Sequence, residues 1–178
     1  DFITEKISKL SGLILTHAHE DHIGAVPYLY PKLGSIPIYT TSFTASVLKR
    51  KFESVGIKDF DINLFEYNKK FNIGTFQVEI FSLTHSIPEP NAIILKCNKG
   101  NIFHTGDWKI DPEPLVGDPI DEEGIKKIGK EGVAAMICDS TNVFNNNPSG
   151  SESEVRKSLK QIFSNKKQGK IIISCFFF

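Results

Sequence analysis

This sequence is poor in several features that would settle its class at once. Cysteine is scarce, with three in 178 residues: Cys97, Cys138 and Cys175. The number is odd, the spacing is wide and no Cys-x-x-Cys pair occurs. That argues against both a disulfide framework and a thiolate zinc knot. Each cysteine lies in or beside an apolar stretch, so buried free thiols in a reducing cytoplasm are expected. Net charge of one sign is missing too. Lysine and arginine total 21, aspartate and glutamate total 21, and the formal net charge is +0. No global field therefore announces a nucleic-acid or membrane partner. The short basic runs at Lys49-Arg50-Lys51, Lys69-Lys70, Lys126-Lys127 and Lys166-Lys167 read as solvated faces. No apolar run approaches the ~20 residues of a membrane-spanning helix. The start, Asp1-Phe2-Ile3-Thr4-Glu5-Lys6, has neither the charged opening nor the apolar core of a secretory signal. Repeats and low-complexity blocks are also lacking.

What is present is a soluble-protein composition, 40% hydrophobic and 24% charged, in a length that suits one domain. Ile3, Ile7 and Leu10 have helical spacing, with Gly12 placed to end the helix. Leu13–Leu15 reads as a buried strand. A short helix over His22–Tyr30, bent by Pro27, follows. Ile36–Tyr39 reads as a strand. Ser42 then caps a helix over Phe43–Ser54, with Gly56 after its end. The middle is rich in strands: Ile62–Tyr67, Phe71–Ile73, Phe76–Leu83, Ala92–Cys97 and Asn101–His104, the last two joined by a tight turn. A short helix over Ile125–Lys130 and a buried strand over Val133–Cys138 come next. Ser151 with Glu154 forms a capping box for a helix ending near Asn165. Ile171–Phe178 reads as a final strand. The fold class is α/β, with sheets covered by helices.

The five histidines all lie in or beside polar patches that follow strand-like runs. Three occur in the stretch "THAHEDH". His17 and His19 are two apart, so in extended chain they point to one side. Asp21 and His22 follow where a helix begins. Imidazole and carboxylate donors suit zinc or manganese without thiolates. Polar groups crowded between two core segments are costly unless something satisfies them. His85 in "THSIPE" and Asp107 in "HTGDWKID" say little singly, since an aspartate after Thr-Gly is common turn chemistry. Together with the first patch they suit a two-metal site, in which one carboxylate bridges cations ~3.5–4 Å apart and imidazoles fill the remaining positions.

"THAHEDH", "HSIPE" and "HTGDWKIDPEPLVG" resemble the successive motifs of the metallo-β-lactamase superfamily. "DSTN" and "PSGSESEV" narrow the resemblance to its β-CASP branch and, within it, to the bacterial ribonuclease J family. The similarity runs from about Leu10 to Ser174. It implies an αββα sandwich. It also implies that His17, His19 and His85 bind a first divalent metal, that Asp21 and His22 bind a second, and that Asp107 bridges them. The metals would be zinc, or else manganese. Asp21 would orient the nucleophile while it ligates. Asp139 matches the first acidic motif peculiar to the β-CASP branch, where it partners a later histidine; a plain turn-capping role is its alternative. Glu20 and Asp111 read as surface or capping groups, His104 as structural or supporting the ligands, and Trp108 as a packing residue. The implied reaction is hydrolysis of RNA phosphodiesters by an activated water, from the 5′ end or internally.

The resemblance also sets expectations about extent. Residues 1–178 are expected to be part of a metallo-β-lactamase domain cut at both ends, with a β-CASP domain after residue 178. The last ligand of the second metal is expected there too. "SCFFF" departs from the family's small and polar residues at that place. The isolated chain is therefore expected to bind RNA weakly and act poorly. The longer protein is expected to be cytoplasmic and homo-oligomeric, with no membrane partner. Two other readings stay open: a small-molecule thioesterase or lactonase of the same superfamily, and a non-catalytic remnant that keeps a metal site.

Overall fold

A computed structural model describes residues 2–174. The chain opens with α1 (Phe2–Glu5) and a 3-10 turn at Ile7–Lys9. It continues through β1 (Leu13–Ile14), α2 (Glu20–Ile23), α3 (Val26–Leu29), β2 (Ile38–Thr40), α4 (Ser42–Ser54) and β3 (Ile62–Leu64). Strands β4 (Lys70–Ile73), β5 (Phe76–Ser82), β6 (Asn91–Cys97) and β7 (Gly100–His104) follow, and then α5 (Glu122–Glu131), β8 (Ala135–Ile137) and α6 (Glu152–Asn165). Strands β1, β2 and β3 form a parallel sheet. Strands β4 to β8 form a second sheet, antiparallel up to β7 and parallel between β7 and β8.

The two-residue period of a strand explains how these sheets stack. Val78 and Ile80 of β5 and Ile93 of β6 pack toward Ile14 and Tyr39 of the other sheet. Phe81, Ala92 and Ile94, one residue out of phase, pack toward Ile128 and Ile125 of α5. On the far side of the parallel sheet, Leu15 and Ile38 meet Ile23, Val26, Leu48 and Phe52 of the helices α2 to α4. The order helix, sheet, sheet, helix is the αββα arrangement that the motifs implied.

Several local expectations change. The first helix breaks into α1 and the 3-10 turn. The expected helix over His22–Tyr30 starts earlier and splits at Gly24 and Ala25 into α2 and α3, with a 3-10 turn at Tyr30–Leu33. Thr41, not Ser42, precedes α4; its side chain makes no capping bond, and the Glu89 carboxylate accepts from Phe43 N–H at 2.7 Å instead. The strand at Ile62 stops at Leu64. Strand β8 forms, but its residues are exposed rather than buried. Cys138 is exposed and Cys97 half-buried, which corrects the expectation of buried thiols; Cys175 lies outside the described residues. No strand forms over residues 171–174, and the rest of that expected strand lies outside the described residues.

The capping box at α6 forms as read, and it is tied into the fold. Ser151 Oγ donates to Asp111 Oδ1 at 2.7 Å, and Glu152 N–H donates to Asp111 Oδ2 at 2.9 Å. Asp111 also accepts from Glu113 N–H at 2.9 Å and pairs with Lys109 at 3.2 Å. The residue expected to be a surface or capping group is thus a buried cap, 1% exposed. The Glu152 N–H bond foremost, then Ser151, Glu113 and Lys109, hold its carboxyl well below the usual carboxylate range. A depressed folded pKa contributes stability above the unfolded value and loses it as pH falls. Two outcomes follow in thermal unfolding. Ser151→Ala should cost about 1 kcal/mol, as for other helix caps. Asp111→Asn should lower the melting temperature at neutral pH, and the gap from wild type should narrow on acidification below about pH 4.

Candidate metal centre

Strands β5 and β7 run parallel to each other, because each is antiparallel to β6. Strand β8 runs parallel to β7. The C-terminal ends of all three therefore lie along one rim of the second sheet. The end of β1 meets that rim across the sandwich, where the Asn91 amide Nδ2 donates to Thr16 carbonyl oxygen. His17 to His22 follow β1, His85 follows β5, Asp107 follows β7 and Asp139 follows β8. A loop leaving a strand end is free of the ladder yet anchored by it, which suits side chains that must be held still.

The structure brings six of the predicted residues together in two groups that share Asp107. His17, His19, His85 and Asp107 each offer a ligand atom, all within 4.8 Å of one another. Asp21, His22 and Asp107 form the second group within the same limit. His19 Nδ1 lies 3.1 Å from His17 Nε2 and 3.1 Å from His85 Nε2. Asp107 Oδ2 lies 3.9 Å from the Nε2 atoms of both His17 and His85. The same oxygen is 3.3 Å from His22 Nε2, which is 3.6 Å from Asp21 Oδ2.

These distances can be compared with a metal's requirements. Bonds of 2.0–2.1 Å to tetrahedral ligands imply a ligand-to-ligand edge of about 3.3–3.4 Å. The imidazole spacing is close to that edge. His17 supplies a second argument. If its Nε2 faces the cluster as a lone pair, Nδ1 carries the proton and donates to Thr16 Oγ1, 3.0 Å away. Such a bond fixes tautomer and ring orientation, as metal-ligating histidines require. The imidazole and carboxylate donors of this cluster suit a divalent cation.

Burial keeps these rings ready. His17 is 0% exposed. Desolvation first, then the neighbouring His22, His85 and His19, lower its pKa from 6.5 to about 3. Burial, then His19, lowers that of His85, with Asp107 acting in the opposite direction. A ring that resists protonation presents a free lone pair across the physiological range.

The remaining predicted residues divide. Asp139 accepts from Thr141 N–H at 2.8 Å and Thr141 Oγ1 at 2.7 Å, while its own N–H donates to Thr105 Oγ1 at 3.1 Å. The turn-capping geometry is therefore present. Thr141 foremost, then Trp108 N–H and nearby His85, keep its carboxyl below the usual range. Asp139 belongs to neither of the two groups of ligand atoms. His104 Nδ1 accepts from Gly106 N–H at 2.9 Å and so supports the loop that carries Asp107. Trp108 packs against the Phe81 and Ile94 cluster. Glu20 is a surface residue paired with Lys51. Thr16, Glu89 and Asn91 were not singled out in the sequence, although an asparagine opening the apolar run "NAIIL" was a signal.

A family model described as "Beta-lactamase superfamily domain" matches residues 3–123. Among curated proteins, "Ribonuclease J" of Sinorhizobium meliloti is 42% identical over 98% of this chain and 31% of its own length. "Ribonuclease J" of Mycolicibacterium smegmatis is 36% identical over 98% of this chain, again 31% of its own length. This chain thus spans about a third of those relatives. Among solved structures, the metallo-beta-lactamase fold protein YhfI from Bacillus subtilis matches with a TM-score of 0.48 and 20% identity, over 60% of this chain and 45% of that one.

The depressed His17 pKa has a measurable consequence in metal-free protein. Between about 3 and 6.5 the unfolded chain binds the proton that the folded chain refuses. Stability therefore rises with pH across this window and is lost as pH falls through it. In urea unfolding with chelator present, wild type should lose more stability than His17→Gln between about pH 7 and pH 5. Equal losses would show that His17 is not the group responsible.

Proposed function

We propose, from the premise that this chain belongs to the beta-lactamase superfamily, that it carries the metal centre of a ribonuclease acting on RNA phosphodiesters. The observation that supports this most is the shared carboxylate. Asp107 is shared by a group of three imidazoles, His17, His19 and His85, and by a second group of His22 and Asp21, with its Oδ2 3.3 Å from His22 Nε2. The similarity to proteins named Ribonuclease J over nearly all of this chain supports the substrate.

In this reading His17 Nε2, His19 Nδ1 and His85 Nε2 hold one divalent cation, and Asp21 and His22 hold the other. The donors are imidazole and carboxylate without thiolate, which favours zinc and also suits manganese. When bound, such a pair activates water and neutralises charge on the phosphate oxygens. The chain's residues do the rest. The water gives up one proton as its oxygen bonds to phosphorus, the bond to the ribose oxygen breaks, and that leaving oxygen takes up one proton, so the step is balanced. Asp21, the most exposed carboxylate of the cluster, accepts a hydrogen bond from the attacking water and orients it. Asp139 shapes the β8 end of the same rim through its bonds to Thr141 and Thr105. Among the described residues no helix is long and apolar enough to cross a membrane. The substrate in this reading is a soluble polyanion, and the longer protein works as a homo-oligomer in the cytoplasm.

Elemental analysis of the full-length protein should find two zinc or manganese ions per chain. Asp107→Asn should lower hydrolysis of 5′-monophosphorylated RNA by ~10²-fold or more, since metal activation supplies several kcal/mol and each 1.36 kcal/mol is tenfold. Cleavage of a thioester or lactone, with RNA left intact, would overturn the assignment of substrate.

A further inference from the structure

Asn91 opens strand β6 at the rim where the three ligand-bearing loops meet, and it touches all of them. It is 1% exposed. Its Nδ2 donates to the carbonyl oxygen of Thr16, the residue before His17, and to that of Glu89 at 3.4 Å, four residues after His85. Its own carbonyl oxygen lies against Gly106, the residue before Asp107. A Cβ at Gly106 would stand 2.7 Å from that oxygen and 3.3 Å from Thr16 Cβ, and the Gly106 backbone has φ +59. Glu89 is fixed from its other end, with φ 57 and its carboxylate on Phe43 N–H in the first turn of α4.

The chemistry of these contacts is one-sided. Both partners of the amide are carbonyl oxygens, so the side chain must donate, and its two N–H groups are what the position uses. Its Oδ1 has no hydrogen-bond partner among the described residues. A buried acceptor left unpaired is destabilising. An apolar residue would avoid that penalty but would leave the Thr16 and Glu89 carbonyls without this donor. The arrangement therefore favours geometry over stability.

We infer that Asn91 is a positioning residue: its side chain sets the spacing of His17 and His85 by tying their two loops together, beside the Asp107 loop that its backbone carbonyl borders. The role rests on the reading of these residues as metal ligands. It acts through the backbone before His17 and after His85 and makes no contact with the cations.

The test uses Co²⁺ as a spectroscopic probe in full-length protein stripped with chelator. Asn91→Asp keeps the shape and replaces the donor with an acceptor. Asn91→Ala removes the donor without adding charge, and decides the matter if the aspartate variant does not unfold cooperatively. Ile94→Val is the control, because it weakens the same strand on the face that packs toward α5. Both Asn91 variants should bind Co²⁺ at least about tenfold more weakly, the range seen when groups supporting metal ligands are lost. Their visible bands should shift in position and intensity. Ile94→Val should lower the unfolding midpoint of stripped protein and leave affinity and bands unchanged. Wild-type affinity and bands in both Asn91 variants would overturn the positioning role, as would an equal loss of affinity in Ile94→Val. If wild type takes up no Co²⁺, the metal reading itself falls and the positioning role with it.

Discussion

An imidazole nitrogen held one hydrogen-bond length from each of two others, with a carboxylate oxygen close by, forms the constraint on which the rest of this structure depends. His19 Nδ1 faces the Nε2 atoms of both His17 and His85 at 3.1 Å. A ring nitrogen carries either one N–H or one lone pair, so in no tautomer does His19 Nδ1 fully satisfy both neighbours. Lone pairs pointed at a common centre repel unless a proton or a cation sits among them. Burial opposes the proton, since it disfavours the charged form of His17 and His85. What an array of imidazole nitrogens and a carboxylate suits is a compact divalent cation, which gains a bond to each donor.

The fold supplies the rigidity that this convergence needs. The clustered side chains follow strands of two sheets, so no single strand could set their spacing. Strands β5, β7 and β8 end along one rim because of the pairing order, and β1 is fastened to it by Asn91 across 75 residues of sequence. Packing of Val78, Ile80 and Ile93 between the sheets fixes their separation. Further out, Asp111 anchors the start of α6 to the segment that follows Asp107. Each layer of the fold thus passes its order inward, from core to strand ends to ring nitrogens.

The residues that cluster at the rim were legible in the sequence because their chemistry is local. "THAHEDH" places four of the six within one short polar stretch, and His85 and Asp107 stand where apolar runs stop. The αββα order came with the resemblance those motifs carry, not from periodicity. What the sequence hid was whatever depends on distant partners. Nothing local shows that the Glu89 carboxylate bonds to Phe43 N–H at the start of α4, 46 residues away. Burial was hidden for the same reason. The residues around Cys138 are apolar enough to suggest a core strand, yet β8 is exposed, because burial depends on what packs against a strand rather than on its own hydropathy.

Anomalous diffraction from crystals of the full-length protein grown with zinc tests the central claim most directly. Two peaks should flank Asp107 Oδ2, ~3.5–4 Å apart. The first should lie within bonding distance of His17, His19 and His85, and the second of Asp21 and His22. A single peak, or cations bound away from Asp107, would contradict the two-metal account.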